Sequence, residues 1–247
     1  MAGRRLPESG LPEPGLPESG LPESGLPDPI PRPEQWRDGD AAPWAGISGA
    51  PTAAQVAAAV GARLTPLPHV PSFTSSRESA VIVALTDGAR GAEVLLTKRS
   101  MHLSSHRGQM SFPGGRVEPG ETFEAAALRE AHEEVGLMPG DVALAGRLDP
   151  LSTAVSRSFI VPVVGVVSAR PQLLAHPGEV DRIVWVPLAD LVRDDIYREE
   201  WWGTPPFDRP MFFFELFDEV IWGATARMLH QLLRVAHGLN TPEPPAW

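Results

Sequence analysis

Three glutamates in one short stretch of the sequence have the chemistry of a metal site. Glu130, Glu133 and Glu134 lie three and four positions apart, so on a helix their side chains would approach within about 5–6 Å. Three like charges at that distance repel, and a bound cation would reverse the sign of the interaction. Carboxylate oxygens suit Mg²⁺ or Mn²⁺, and Mg²⁺ typically shares its remaining positions with water and substrate phosphates. The cluster therefore predicts a metal site that acts on a phosphorylated substrate.

One helix is expected to carry all three glutamates. Thr122 is the expected N-cap, and the helix should run from about Phe123 to about Val135. Gly136 suits the left-handed position that ends a helix, and Leu137 can fold back onto the last turn. A narrow apolar face at four-residue spacing, suited to packing on a sheet, consists of Ala127, Ala131 and Val135 with Leu128 beside them.

Two interpretations of the acidic face compete. It is either a solvated helix surface, partly neutralised by Arg129, or a metal site. The metal site is favoured because a set of residues stands, without a gap, at the spacings of the Nudix box: Gly115, Glu121, Arg129-Glu130, Glu133-Glu134 and Gly136. The chain thus resembles a Nudix hydrolase. At Ala131 a larger aliphatic residue is common in that family, a departure that affects packing more than chemistry.

The resemblance implies a role for each of these residues. The implied metal ligands are Glu130, Glu134 and Glu133, and the implied catalytic residues are Glu133, Glu134, Arg129 and Glu121. Glu133 would be a third ligand or the base that orients water, while Glu121 and Arg129 would hold the loop against the helix. Glu179 is an alternative base or extra ligand, and the simpler interpretation is a solvated loop carboxylate. Because the base differs among Nudix enzymes, Glu133, Glu134 and Glu179 all remain open.

A second motif precedes the box. The segment from Leu95 to Phe112, which includes Leu-Leu-Thr-Lys-Arg-Ser and His-Arg-Gly-Gln and continues into Phe-Pro-Gly-Gly, resembles the motif of coenzyme A diphosphatases. The substrate-binding residues that it implies are Arg99, His106, Gln109, Gly114 and Gly115. Arg99 would clamp a phosphate with its forked donors or form a surface salt bridge, and His106 would bind substrate or only hold the loop.

Composition excludes several classes of function. A net charge of −10 and a pI near 5.2 argue against binding to nucleic acid or to an anionic membrane, because those partners require a basic surface. The absence of cysteine excludes disulfides, thiolate metal sites and cysteine nucleophiles. No run of about 18 apolar residues and no signal-peptide core are present. We therefore expect a cytoplasmic protein with a small-molecule partner, and a homodimer is an alternative to a monomer.

The chain divides into four regions. Residues 1–35 carry Leu-Pro-Glu-Ser-Gly repeats and predict a disordered tail, because proline blocks helices and one leucine per repeat cannot build a core. Residues 36–76 form a lead-in with a short helix near residues 52–62, capped by Thr52. Residues 77–240 form the Nudix hydrolase domain, and residues 241–247 form a flexible end.

Strand patterns alternate with helices in the domain. Apolar and β-branched runs predict a hairpin (79–86 and 93–97) and later strands at 142–148, 159–167, 182–187, 211–217 and 220–222. Pro162 predicts that its strand lies at an edge or contains a bulge. Helical spacing predicts a short helix at 188–192 and an amphipathic one at 224–237. The mixture fits an α/β fold, and by resemblance the Nudix fold, an α/β/α sandwich with a mixed β-sheet between helices.

Three functions remain in competition at this point. The first is metal-dependent hydrolysis of the diphosphate of coenzyme A or acyl-coenzyme A to 3′,5′-ADP and (acyl-)4′-phosphopantetheine, which the resemblance implies. The second is cleavage of another nucleoside diphosphate derivative, such as ADP-ribose, NADH or a damaged dNTP. The third is a Nudix module that senses a nucleotide without cutting it. The complete glutamate set disfavours the third, and the motif between Leu95 and Phe112 favours the first.

Overall fold

The computed structural model describes residues 30–47, 49–63, 77–153, 157–216 and 219–241. The predictions for the repeat tail before residue 30, for residues 64–76 and for the end beyond residue 241 lie outside the described residues. Within the described part, no helix is long and apolar enough to cross a membrane.

Four helices and a short 3₁₀ turn (Pro139–Asp141) lie in the described residues, and the helices are α1 (Ala53–Gly61), α2 (Phe123–Val135), α3 (Leu188–Leu191) and α4 (Gly223–Ala236). The expected cap of α1 is confirmed, because the Thr52 hydroxyl accepts from the Gln55 amide and the Gln55 side chain accepts from the Thr52 amide. This reciprocal pair satisfies two donors that the first turn leaves free.

Twelve strands are described: β1 (Trp36–Asp38), β2 (Arg77–Gly88), β3 (Gly91–Arg99), β4 (Met110–Ser111), β5 (Gly114–Arg116), β6 (Val142–Arg147), β7 (Leu151–Thr153), β8 (Ser158–Val167), β9 (Val180–Pro187), β10 (Tyr197–Trp202), β11 (Arg209–Leu216) and β12 (Glu219–Ile221). Eight of them form one mixed sheet, in which β2 and β8 are parallel and the other pairs are antiparallel. The predicted hairpin is confirmed as β2 and β3, with Gly88 paired to Gly91.

The large sheet lies between helices, as predicted. Alternate residues of β2 point to opposite faces: Ile82 packs with α2, whereas Val83 packs with the core that contains α1 and α4. Both side chains are fully buried, each in its own core. The fold is therefore an α/β sandwich whose sheet separates α2 from α1 and α4.

A second, four-stranded sheet was not predicted as a separate unit. It has the order β1-β10-β11-β12, and Trp36 of β1 pairs with Trp202 of β10. Its inner face joins the core of α4, where the ring of Phe212 stacks on His230 with 4.0 Å between centroids. Trp44, in the segment expected to be a lead-in, is 1% exposed in the same core. The segment before α1 is thus packed on the domain.

Pro162 corrects the expectation of an edge strand. Its strand, β8, lies inside the sheet between β2 on one side and β6 and β7 on the other. The Pro162 carbonyl accepts from the Leu148 amide, at 3.0 Å, in the gap between the end of β6 and the start of β7. The nitrogen and the carbonyl of a residue face the same side of a strand. The nitrogen of Pro162, which carries no hydrogen, therefore faces the gap between β6 and β7, where the ladder is interrupted.

Candidate active site

Helix α2 begins and ends at the residues that the sequence predicts. The Thr122 hydroxyl accepts from the Ala125 amide at 3.2 Å, and Gly136 has a φ of 70°, the left-handed conformation that favours glycine. The Leu137 amide bonds back to the Ala131 carbonyl at 3.3 Å, and Leu137 is buried. These caps fix the length of the helix and therefore the direction in which its glutamates point.

The large sheet opens beside α2. β3 pairs with β2 only over its first half and then with β4, while β5 pairs with β2 at Ser79–Val81. Gly114 and Gly115 begin β5. They therefore lie beside the central strand, β2, and directly next to the helix. The Glu130 carboxylate occupies the space where a side chain of residue 115 would otherwise lie. Glycine at this position is a requirement of that close approach.

Glu134 is the most buried acid of the cluster, with 5% of its surface exposed. One of its carboxylate oxygens accepts from the Gly114 amide at 3.1 Å. Burial raises the pKa of Glu134 to about 7, and this rise outweighs the opposing effects of the Gly114 amide and of Arg99. Burial also raises the pKa of Glu130. The protein thus holds two carboxylates whose charge is insufficiently compensated in the absence of a cation.

Arg129 joins the loop to the helix. Its guanidinium donates to both Glu121 oxygens, at 3.0 and 3.1 Å, and to the Arg116 carbonyl at 2.9 Å. It also donates to Glu130 and Glu133, each at 3.0 Å. The pKa of Arg129 is raised, chiefly by Glu121, and that of Glu121 is lowered, chiefly by Arg129. Arg129 of α2 is therefore hydrogen-bonded to two residues of the preceding loop, Arg116 and Glu121.

The residues present fit a hard divalent cation. Glu130, Glu133 and Glu134 offer carboxylate oxygens, and the raised pKa values of Glu130 and Glu134 show that a nearby positive charge would stabilise them. Among the described residues, no three acidic or histidine side chains are already arranged around one point. Mg²⁺ is commonly bound through one or two carboxylates together with substrate phosphates and water. Two carboxylates of this set suffice for such a site.

Residues 100–109, here called the 100–109 loop, connect the end of β3 at Arg99 to the start of β4 at Met110. The Arg99 amide donates to the Gln109 carbonyl at 2.9 Å, and the Gly108 amide donates to the Arg99 carbonyl at 3.0 Å. The loop is therefore closed at its base. The positive charge of Arg99 opposes the rise in the pKa of Glu134 that burial causes. In the described part of the chain, its buried Nε has no hydrogen-bond partner.

His106 and Gln109 contact each other within this loop. Nδ1 of His106 lies 3.1 Å from Oε1 of Gln109, and His106 adopts a positive φ of 55°. This pair supports the loop-holding interpretation of His106. No hydrogen bond joins either side chain to the glutamate cluster among the described residues.

Glu179 lies on a loop that is bonded to the end of α2. The His176 amide donates to the Glu134 carbonyl at 2.8 Å, and the Leu174 amide donates to the Val135 carbonyl at 3.0 Å. The charge of Glu179 raises the pKa values of both Glu130 and Glu134. The structure therefore brings Glu179 to the cluster, with 48% of its side chain exposed to water.

Backbone groups are the part of the site that the sequence analysis missed. The Gly114 amide and the Arg116 carbonyl bind Glu134 and Arg129, but any residue type can supply such groups, so no side-chain pattern marks them. Asp181 was also overlooked, although its carboxylate accepts from the Met101 amide at 3.1 Å. An isolated aspartate at the start of a strand gives no sequence signal for that contact.

Comparison with known proteins identifies the family. A model of the NUDIX domain matches residues 76–205. Nudix hydrolase 15, mitochondrial, from Arabidopsis thaliana is 33% identical over 210 residues, which cover 79% of this chain and 70% of that protein. The Nudix hydrolase NudL of Photorhabdus laumondii is 34% identical over 169 residues, 67% of this chain and 89% of that protein.

Among solved structures, a Nudix hydrolase from M. smegmatis, RenU, is 18% identical with a TM-score of 0.47, and the match covers 69% of this chain and 92% of that chain. The extent of the domain match and the identity to Nudix hydrolase 15 over most of this chain decide the assignment. The chain belongs to the Nudix hydrolase family.

Proposed function

We propose that this Nudix hydrolase cleaves the diphosphate bond of coenzyme A or acyl-coenzyme A, giving 3′,5′-ADP and (acyl-)4′-phosphopantetheine. The observation that carries the proposal is Arg99, at the base of the 100–109 loop. Its charge lowers the pKa of Glu134, and its buried Nε has no hydrogen-bond partner among the described residues. A planar cation in that position is suited to a phosphate of the substrate. The resemblance of the segment between Leu95 and Phe112 to coenzyme A diphosphatases supplies the substrate class.

The remaining residues support hydrolysis. Nudix hydrolases generally use divalent metals such as Mg²⁺ or Mn²⁺, and Glu130, Glu134 and Glu133 would hold the ion here. A bound cation would neutralise charge on the diphosphate oxygens. The protein itself would orient the substrate through the 100–109 loop and keep the glutamates in place through Arg129. Glycine at residues 114 and 115 allows β5 to lie directly against β2 and against the Glu130 carboxylate.

A base must still take a proton from the attacking water. Glu133 is a weaker choice, because Arg129 donates to its carboxylate at 3.0 Å and so stabilises the charged form. Glu134 is buried and bonded to the Gly114 amide. Glu179 is half-exposed, its charge raises the pKa values of Glu130 and Glu134, and Nδ1 of His176 lies 3.9 Å from its carboxylate, beyond hydrogen-bond distance. We therefore favour Glu179 as the base, with Glu133 and Glu134 as the alternatives.

One panel of substrates tests this assignment. The purified protein is incubated with Mg²⁺ or Mn²⁺ and with coenzyme A, acyl-coenzyme A, ADP-ribose, NADH or dNTPs, and the products are identified. Coenzyme A should be cleaved to 3′,5′-ADP, and the Glu134→Gln variant should serve as the inactive control. If ADP-ribose is the preferred substrate, the coenzyme A assignment is wrong and the substrate is another nucleoside diphosphate derivative. Cleavage of none of them would leave a nucleotide-sensing module, which the complete glutamate set disfavours.

Two further features belong to the same proposal. We place the enzyme in the cytoplasm, although the Arabidopsis relative is named mitochondrial, and fractionation of the native host decides the compartment. A small molecule is the proposed partner, in keeping with a net charge of −10, which disfavours nucleic acid and anionic membranes. Light scattering would distinguish a homodimer from a monomer.

A further inference from the structure

The start of β9 departs from regular alternation. Ile183 and Trp185 pack against the α2 core, and Val180 belongs to that core as well. In a regular strand the next residue on this face would be Asp181, because alternate residues share a face. The ladder register shifts here: Lys98 pairs with Arg182, but Arg99 pairs with Val180. Asp181 is therefore the extra residue of a β-bulge, a feature that redirects side chains and is frequent beside active sites.

The bulge turns the Asp181 carboxylate toward the 100–109 loop. Oδ2 of Asp181 accepts from the Met101 amide at 3.1 Å. One residue earlier in that loop, the Ser100 amide donates to the Glu179 carbonyl at 2.8 Å. Two consecutive amides of the loop are thus bonded to residues on either side of Val180. The start of the loop cannot move without moving the segment that carries Glu179.

The same segment is bonded to the catalytic helix. The His176 amide holds the Glu134 carbonyl, and the Glu179 amide bonds to the His176 carbonyl at 3.0 Å. Met101 is therefore connected to Glu134 by the hydrogen bond to Asp181, by the backbone from Asp181 to Glu179, and by hydrogen bonds through His176. It joins the part of the site proposed to bind the substrate to the part that carries the carboxylates.

We propose that Asp181 is a positioning residue, whose carboxylate holds the 100–109 loop in register with Glu179 and with the carboxylates of α2. This inference rests on the proposed function, since it assumes that the loop binds the substrate. Asp181 and this hydrogen bond are exposed, so the contact contributes little to folding stability. Its effect should appear in substrate binding, because a loop that samples other positions must be ordered when the substrate binds.

The test compares Asp181→Ala, which removes the acceptor, with Asp181→Asn, which keeps one oxygen in the same place. The matched control is Asp195→Ala, which removes an exposed aspartate that accepts from Arg193, two residues before it. KM and kcat are measured on the diphosphate that the wild-type enzyme cleaves best. Exchange of the Met101 amide hydrogen is followed by NMR in the same variants.

We expect KM to rise about threefold to tenfold in Asp181→Ala, as for loss of one hydrogen bond, while kcat changes less than about twofold. Asp181→Asn and Asp195→Ala should resemble the wild type. The Met101 amide should exchange faster in Asp181→Ala and be protected again in Asp181→Asn. An unchanged KM in Asp181→Ala would overturn the proposal, as would an Asn variant as defective as the Ala variant, because either result reduces Asp181 to a structural role.

Failure of the proposed function gives a different result. If the wild type prefers ADP-ribose, the coenzyme A assignment fails while the rise in KM is still expected with that substrate. If the wild type cleaves no diphosphate, Met101 exchange decides alone whether Asp181 holds the loop. Unaltered exchange in Asp181→Ala would then overturn the positioning role.

Discussion

The Glu130 carboxyl carbon would lie only 2.4 Å from a Cβ atom placed on Gly115. Such a distance does not occur between non-bonded carbon atoms, so any side chain at residue 115 must displace the carboxylate. The displaced group is the end of a flexible side chain and can move at low energetic cost. The contact therefore constrains the position of Glu130 far more than it constrains folding.

Gly115→Ala should accordingly impair catalysis while leaving the fold intact. We expect kcat/KM to fall at least about tenfold, because the proposed metal ligand is moved, and the free energy of unfolding to change by less than about 1 kcal/mol. Steady-state kinetics and urea unfolding on the same preparation measure both. Gly140→Ala is the matched control, since a Cβ there meets no atom within 4 Å. Full activity in Gly115→Ala would contradict the proposed role of Glu130.

Removing the charge of Glu130 or of Glu134 should strongly reduce turnover. Glu130→Gln and Glu134→Gln keep the shape of the side chain but remove the negative charge that would bind a cation, so kcat should fall by orders of magnitude with the fold intact. Circular dichroism and turnover are measured on the same samples, with Glu118→Gln, an exposed position in the preceding loop, as the control. Wild-type turnover in either variant would rule out the proposed metal site.

Stability of the metal-free protein should depend on pH through Glu134. The pKa of this residue is about 7 in the folded protein, against 4.5 for a glutamate in water. Between these values the native state holds a proton that the unfolded chain has lost, so the free energy of unfolding falls as pH rises through this window. The loss is on the order of 3 kcal/mol.

Chemical unfolding with EDTA, from about pH 4.5 to about pH 7.5, measures this dependence. In Glu134→Gln the corresponding slope should be absent, so the variant should become more stable than the wild type as the pH approaches 7. Equal slopes in the two proteins would show that Glu134 does not hold the proton. Addition of Mn²⁺ should restore stability to the wild type at the upper end of the range and have a smaller effect on the variant.

Local patterns predicted helix α2 correctly. Thr122, Gly136 and the spacing of the apolar residues specify the ends and the buried face of α2 without reference to the rest of the chain. The acidic cluster lies on that helix, so most of the candidate site was accessible from the sequence. The roles of its members remain predictions.

Contacts between distant segments could not be predicted in this way. β1 pairs with β10 across more than 160 residues, and β10 mixes aromatic and charged residues in Tyr-Arg-Glu-Glu-Trp-Trp rather than alternating regularly. Glu200 of this strand is 2% exposed and accepts from Trp202 Nε1 at 2.7 Å and from Nε of Arg32, which is distant in the sequence, at 3.0 Å. The bulge at Asp181 likewise depends on the register between two strands, which no local pattern records.

The N-terminal repeats should be dispensable, and the described structure suggests where truncation must stop. Deletion of residues 1–31 should leave the melting temperature and kcat nearly unchanged, because the repeats lack core-forming residues. Arg32 is different: its Nε donates at 3.0 Å to the buried Glu200. Adding Arg32→Ala to the truncated chain should lower stability by about 1 kcal/mol, or about 2–4 °C, in calorimetry. A large loss from the first deletion would mean that the repeats contact the domain.

Substrate choice should depend on the 100–109 loop, which is closed at its base by Arg99 and whose end continues through β4 to Gly114. Any group bound there is held near the scissile diphosphate. Coenzyme A differs from ADP-ribose in its 3′-phosphate and pantetheine arm, and a charge-assisted contact to one of them contributes about 1.5–3 kcal/mol, about tenfold or more in specificity. We therefore expect a higher kcat/KM for coenzyme A than for dephospho-coenzyme A or ADP-ribose.

Variants of that loop should reduce the preference for coenzyme A more than they reduce kcat/KM for dephospho-coenzyme A or ADP-ribose. Arg99→Lys removes the planar fork, and His106→Ala and Gln109→Ala break the 3.1 Å contact between those side chains. Arg193→Gln, which removes an exposed arginine paired with Asp195, should leave the ratio unchanged. Competition between coenzyme A and dephospho-coenzyme A in one reaction, resolved by chromatography, measures the ratio directly. If Arg99→Lys slows all substrates equally, Arg99 acts on the diphosphate common to them, and recognition of coenzyme A must lie elsewhere.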